Sequence, residues 1–263
     1  MNRPAFSRML LPVFTVLVLV FLIVPVLIVF PMSFSDSRFL SFPPPGYSLR
    51  WYEAFFNNPS WMAAGRTSLI VAVATTVIAT PVGVAAAYAI DNSSSAAMRY
   101  LKVVLLLPLI IPIIIVAIGV FFVYARVGLL ATIPGLILAD VMLSIPYVVT
   151  AVLAGLHGFD KTQEMVARSL GMNRFRSFMA VTLPQIRPSV ITGAIFSFIQ
   201  ALDETIVALF ISGGQYQTLT KRMFTSLRDE IDPTIAAIST MLTAASFALV
   251  LLMLMSRRSS EQR

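Results

Sequence analysis

The chain has 263 residues, of which 58% are hydrophobic and only 12% charged, with a mean hydropathy of +0.87 and a formal net charge of +7. A soluble domain carries about 25% charged residues, so lipid is the solvent for most of this chain, and the positive excess belongs with arginines facing a cytoplasm rather than with nucleic acid. There is no cysteine and a single histidine, His157, which excludes disulfides, thiolate metal sites and a cysteine nucleophile and leaves a multi-histidine metal site or a histidine relay without its residues.

Arg3 and Arg8 precede an apolar run from Met9 to Phe30. The arrangement imitates the n- and h-regions of a secretory signal. The run is about 22 residues, however, which is enough to span a bilayer, and no A-x-A-like site follows it. It reads as an uncleaved first spanning helix. Five further runs qualify, giving spans at about 9–31, 66–90, 103–125, 133–155, 188–212 and 235–256. A backbone in hydrocarbon must satisfy its own hydrogen bonds, so each span is expected to be helical. Pro25, Pro81, Pro108, Pro112 and Pro146 fall inside spans and predict kinks that neighbouring helices accommodate. The expected fold class is an all-α membrane protein with six transmembrane helices.

Orientation follows from the basic residues. A cytoplasmic N-terminus puts Arg3, Arg8, Arg99, Lys102, Lys161, Arg168, Arg174, Arg176, Arg187, Arg257, Arg258 and Arg263 inside. It leaves Arg38, Arg50, Arg66, Arg126, Lys221, Arg222 and Arg228 outside. Twelve against seven favours both termini in the cytoplasm.

The long outer loop at 32–65 contains Pro43, Pro44, Pro45 and Gly46, which forbid a helix there. Beyond them Leu49, Tyr52, Phe55 and Phe56 recur at helical spacing, with Trp51 and Trp61 near. The pattern predicts a short interfacial helix anchored by aromatics, or else an ordered loop that buries them. The segment "DNSSSAAMRYLK" at 91–102 reads as a plain cytoplasmic connector. No internal repeat or soluble domain boundary is visible.

The longest inner stretch, 156–187, reads as two short helices. Asp160 is placed to cap the first, with Gln163 three residues on in a capping-box-like pair. Met165, Val166, Ser169 and Leu170 form a narrow apolar stripe, and Gly171 is the expected left-handed terminator. Asn173 is placed to cap the second helix, whose Phe175, Phe178, Met179, Thr182 and Leu183 fall on one face. Pro184 disfavours helix at Leu183 and is expected to turn the chain. The product is a helix–Gly–helix knob in the cytoplasm. Its basic face suits anionic headgroups, and its shape suits a cytoplasmic partner; spacing alone does not choose between them.

The sequence "EMVARSLGMNRFRSFMAVTLP" resembles the EAA-type cytoplasmic loop of permease subunits of bacterial ATP-driven (ABC) importers. In that pattern Glu-Ala-Ala and three residues precede a glycine, and nine residues later comes Ile-x-Leu-Pro. Here Gly171 is followed by nine residues and then Val181-Thr182-Leu183-Pro184. The front departs: Met165 occupies the glutamate position, Val166 and Ala167 the alanine positions, and Glu164 stands one residue early. The six spans, "SLRWYEAFF", "SFIQALDETIVALFISG" and "SLRDEIDPTIAAIST" are similar to the polyamine-type (spermidine/putrescine) subfamily, in particular its second, C-type permease.

The resemblance implies a type I importer (MetI-like) permease fold, with residues 1–263 as one transmembrane permease domain in a bacterial inner membrane. It implies that Glu164, Met165, Val166, Ala167, Arg168, Ser169, Leu170, Gly171 and Pro184 couple to an ATPase. The implied partners are a homologous second permease, two ATPase subunits that hold ATP and magnesium, and a periplasmic substrate-binding protein, with the lipid bilayer around them and no nucleic acid. The chain itself would hold no cofactor and would be no enzyme. Close relatives carry opines, other amines or small acids, so the cargo is the softer expectation.

Ionisable groups inside spans are functional candidates by default. Asp203 and Glu204 lie in the fifth span, roughly 22 Å along its axis from Pro188 at 1.5 Å per residue. Adjacent residues diverge by about 100°, so one is expected to face a cationic cargo, with Gln200 one turn before on a shared polar stripe; a structural hydrogen bond is the competing role. Asp140, in the fourth span, reads as a structural acid, and His157 as an interface residue. The outer segment 214–234, with Lys221, Arg222, Arg228, Asp229, Glu230 and Asp232, is either a docking surface for the binding protein or a solvated connector.

No G-x-x-x-x-G-K-[ST] loop is present, so the chain cannot hydrolyse ATP alone. An intramembrane hydrolase needs a nucleophile and a base together, and one histidine with no cysteine leaves few options for the pair. A self-sufficient carrier or channel is the other competing class, and the inverted repeats common in carriers are not visible.

Overall fold

The apolar runs fold as helices, but two of them do not run straight through. The computed structural model describes residues 5–229 and 232–261, with side chains from Pro12 to Asp229 and from Asp232 to Leu251. Arg3, Glu230 and Arg263 lie outside the described residues, as do the side chains of Arg8, Arg257 and Arg258. Among the described residues every regular element is helical, and β-pairing is confined to isolated bridges at Ser35–Tyr47 and Gly213–Tyr216.

The first expected span is α1 (Ala5–Met32) and the second is α3 (Pro59–Asp91). The fourth is α6 (Ile133–His157), capped by Thr132, whose hydroxyl accepts the Gly135 N–H at 3.1 Å, and it carries Pro146 internally. The sixth is α12 (Thr234–Glu261). These four are long and apolar enough to cross a membrane.

The third expected span is broken rather than kinked. It forms α4 (Ala96–Leu106), a 3-10 turn at Leu107–Leu109 and α5 (Ile113–Val127), and the two arms are bent by 102°. Pro108 and Pro112 explain the break: each removes a backbone donor, and Pro112 sits at ψ 124 as the cap of α5. If this pair crosses as one unit, five such crossings are found among the described residues. The connector at 91–102 is also partly helical, because Ser95 caps α4 by accepting the Met98 N–H at 3.3 Å.

The fifth expected span begins earlier and stops sooner than 188–212. It runs as α9 (Leu183–Asp203), and after an extended Glu204 a separate short helix, α10 (Ile206–Ile211), follows. The outer segment after it contains α11 (Leu219–Asp229).

By contacts the chain divides into two compact units, one drawing on the chain up to Met62 and on Thr225–Ala245, the other on Ala63–Phe224 and the chain from Ser246. In the first, the expected aromatic segment is helical as α2 (Arg50–Asn57). Tyr52 pairs with Ser33 at 2.8 Å and stacks 5.3 Å from Phe34, while Phe55 is buried.

In the second, one apolar cluster joins Val71, Ala117, Leu136 and Leu143 to Val207 and Ile211, and another joins Val84 and Ala87 to Val148, Val152, Leu156 and Ile186. Small residues let α6 approach its neighbours closely. A Cβ on Gly83 would come within 2.6 Å of the Val148 side chain, and one on Gly193 within 3.1 Å of Val148 Cα. Helices α3 and α9 therefore both close on α6 at Val148.

Candidate functional site: the knob and the broken fifth helix

The knob forms as α7 (Lys161–Ser169) and α8 (Arg174–Ser177). The Asp160 carboxylate accepts the Thr162 N–H at 2.9 Å. That bond holds the carboxyl below its usual range, as expected for an acid at a helix N-terminus. Gln163 does not close a capping box; its side-chain oxygen accepts from Gln185 instead, at 2.5 Å. Gly171 terminates α7 at φ +95. Its N–H reaches the Arg168 carbonyl at 3.0 Å and the Met172 N–H reaches the Ala167 carbonyl at 3.2 Å, which is a complete Schellman termination. Asn173 caps α8 by accepting the Arg176 N–H at 2.8 Å.

Pro184 does not turn the chain. Phe178–Thr182 forms a π-helical turn, in which the Leu183 N–H reaches back to the Phe178 carbonyl, and α9 continues from it. The wider turn relieves the clash that a proline ring makes with an α-helical carbonyl four residues back.

The stripe on α7 faces outward. Met165 and Val166 are exposed, and Leu170 is 80% exposed. Met172, Phe175 and Met179 extend this apolar surface across the second half of the knob. The buried side of α7 carries Ala167 and Glu164, the latter only 8% exposed. Glu164 is the centre of the knob's attachment. Its Oε1 accepts from the Tyr88 hydroxyl at 2.5 Å and its Oε2 from the Thr182 hydroxyl at 2.7 Å, while its main-chain carbonyl accepts from the Ser177 hydroxyl at 3.1 Å. Tyr88 also stacks against Phe178 with ring centroids 4.6 Å apart, and the Arg174 guanidinium lies 5.3 Å from its ring centroid. Beside it, Lys161 Nζ forms a 2.7 Å ion pair with Asp91 and donates to the Asp91 carbonyl at 2.9 Å. Four side chains of the knob thus grip the last turn of α3.

The two adjacent carboxylates have different surroundings. Glu204 is 5% exposed, and its carboxylate accepts the Val207 N–H at 2.7 Å and the Ala208 N–H at 2.8 Å. An acid placed there satisfies the free donors of α10 and opposes the positive end of its dipole. Its carbonyl accepts from Thr220 at 2.7 Å. At the other end of α10, Lys221 Nζ donates to the carbonyls of Ser212 at 2.5 Å and Leu209 at 3.3 Å. Burial lowers the Lys221 pKa from its usual range.

Asp203, by contrast, is exposed at the end of α9, with Gln200 half-buried one turn before it. Asp140 is buried on α6 and His157 is exposed at its end. On α11, Arg228 pairs with Asp229 at 2.7 Å, both exposed. Sequence reasoning missed Tyr88; it placed Thr182 only on the face of the second helix and Lys221 only in the outer segment, and foresaw neither in these bonds.

A model of the family described as "Binding-protein-dependent transport system inner membrane component" matches residues 79–263. The chain is 30% identical over 240 residues to the spermidine/putrescine transport system permease protein PotC of Haemophilus influenzae, covering 91% of this chain and 93% of that one. It is 27% identical to the putrescine transport system permease protein PotI of Escherichia coli, over 86% of this chain and 82% of that one. Its fold is similar to a chain of a bacterial ABC transporter involved in the import of the acidic polysaccharide alginate, with a TM-score of 0.73, 15% identity and coverage of 96% and 98%. The helical architecture and the match over residues 79–263 agree: the chain belongs to the family of binding-protein-dependent transport system inner membrane components.

Proposed function

We propose that this permease forms half of the pathway by which an ATP-driven importer moves a small cationic solute such as spermidine or putrescine, and that the knob at 156–187 receives the motor's stroke. The observation that carries the reading is the knob's inside-out arrangement. Its apolar side chains, Met165, Val166 and Leu170, face away from the chain, while its buried acid anchors it. An exposed apolar patch of this kind is costly without a partner. A separate ATPase subunit, carrying ATP and magnesium, is the partner of the right function, since this chain has no phosphate-binding loop. Arg168, Ser169 and Gly171 complete the docking edge, and Pro184 lies where the stroke enters α9.

In this reading the whole chain works as one permease domain with both termini in the cytoplasm. A homologous second permease, two ATPases and a periplasmic binding protein complete the machine. None of the most apolar stretch of α1 is buried within the chain, which supports neighbours from outside it. The polyamine cargo rests on the likeness to PotC and PotI, and on Asp203 as the open carboxylate of the fifth helix. Glu204 serves the fold.

Reconstitution tests the reading. The chain, its second permease, the ATPases and the binding protein in proteoliposomes should take up labelled spermidine only with ATP inside the ATPase compartment. Uptake by this chain alone without ATPase, or ATP-driven uptake of anions but not amines, would contradict it.

A further inference from the structure

The knob presents one sign of charge. Residues 156–187 hold two acids, Asp160 and Glu164, and from Met165 to Arg187 there is none. Both acids are committed within the chain. Glu164 is buried, with its two carboxylate oxygens accepting from hydroxyls, and Asp160 accepts the Thr162 N–H at the start of α7. The same stretch carries Lys161, Arg168, Arg174, Arg176 and Arg187. Lys161 is engaged by Asp91, and the Arg174 guanidinium lies against the Tyr88 ring. Arg168 and Arg176 are exposed, and neither is in an ion pair among the described residues.

Each of these two borders the outward apolar face. Arg168 follows Met165 by three positions and Arg176 precedes Met179 by three, and residues three apart are neighbours on a helix surface. Between the two arginines, Leu170 and Phe175 are both more exposed than buried. Methionine, aromatic rings and arginine are the types enriched in protein interfaces, where an apolar centre is ringed by polar groups. Two guanidiniums on such a rim fit carboxylates, each of which accepts two parallel hydrogen bonds from the planar fork.

Headgroup phosphates are anions too, but the placement of the face decides against them. The other side of α7 is fastened to Tyr88, in the last turn of α3, and to Thr182, immediately before α9. Both helices lead into the membrane from there, so the side opposite these anchors is turned away from it.

We propose that the knob seats in a groove of the ATPase subunit with an apolar floor and an acidic rim, and that Arg168 and Arg176 pair with carboxylates on that rim. The inference rests on the motor-docking reading above and adds the chemistry of the receiving surface.

The variants Arg168→Lys and Arg176→Lys keep the charge and supply an amine that a water-soluble carbodiimide joins to a carboxylate in contact with it. The intact transporter in membranes containing phosphatidylserine offers that reagent two sources of carboxylate, the lipid and the ATPase. Mass spectrometry should find each new lysine bonded to an aspartate or glutamate of the ATPase subunit. In nanodiscs of phosphatidylcholine alone, the permease pair should bind ATPase about fivefold more weakly when Arg168→Gln and Arg176→Gln are combined, and the difference should shrink at about 0.5 M salt. Lysine adducts to phosphatidylserine only, or no adduct to the ATPase while it stays bound, would overturn the acidic rim, as would glutamine variants that bind ATPase like the parent. A parent permease pair that binds no ATPase at any salt would instead overturn the docking reading itself.

Discussion

The Tyr88 hydroxyl donates a 2.5 Å hydrogen bond to Glu164 Oε1, joining α3 to α7 across 76 positions of sequence. The same carboxylate holds Thr182 in the π-helical turn that opens α9. One side chain therefore ties the knob to two long helices at once.

Replacing that acid tests its role. Glu164→Ala leaves the buried Thr182 hydroxyl and the part-buried Tyr88 hydroxyl without this acceptor, at a cost of about 1–3 kcal/mol for the buried one where it stays unpaired. The expected result is an assembled complex that hydrolyses ATP but imports less cargo per ATP. Glu164→Gln, which keeps an acceptor oxygen, should fall between. The ratio of ATP hydrolysed to cargo imported, measured in the same vesicles, checks this; an unchanged ratio for Glu164→Ala would contradict it.

Gly171 offers a cleaner separation of backbone from contact. It holds φ +95, and a Cβ there would meet nothing within 4 Å. Any penalty of Gly171→Ala is thus conformational, roughly 1–2 kcal/mol for an L-residue in the left-handed region. Gly171→Asn should cost less, since asparagine visits that region more readily. The amount of ATPase co-purifying with each variant should fall in the order Gly, Asn, Ala. Equal retention would mean that the termination of α7 does not shape the docking surface.

Asp203 and Glu204 are adjacent, yet their variants should behave oppositely. Glu204→Ala removes the cap of α10, two hydrogen bonds to a charged acceptor worth about 1.5–3 kcal/mol apiece. It should lower the unfolding temperature of the solubilised complex. Asp203→Asn should leave that temperature unchanged and reduce amine uptake. Thermal unfolding and uptake of both variants distinguish the roles; a stable Glu204→Ala complex would refute the capping assignment, and full uptake by Asp203→Asn would refute the pathway one.

Much of the fold was legible because lipid allows few solutions. Long apolar runs had to be helices, and α1, α3, α6 and α12 each contain the whole of an expected span. Caps at Asp160 and Asn173 and the left-handed Gly171 were legible because each needs one residue type at one place.

What composition could not supply was the choice between kink and break. Pro146 sits inside a continuous helix, while Pro108 and Pro112 split one. The difference lies in how neighbours receive the freed carbonyls. Nor could periodicity tell that the apolar side of α7 faces out: it shows that a face exists, not what covers it. Glu204 was read either as a pathway carboxylate or as a structural hydrogen-bonding acid, and adjacency to Asp203 could not choose; its bonds to the Val207 and Ala208 N–H groups are of the structural kind.

The central claim is that the knob's outward apolar face docks on the ATPase. The chain has no cysteine, so Leu170→Cys introduces a unique thiol in this subunit at the most exposed large apolar side chain of the knob. Photo-crosslinking from that thiol in the intact transporter is predicted to capture the ATPase subunit, with a yield that changes when ATP is added. Crosslinks confined to lipid or to the periplasmic binding protein would contradict the account.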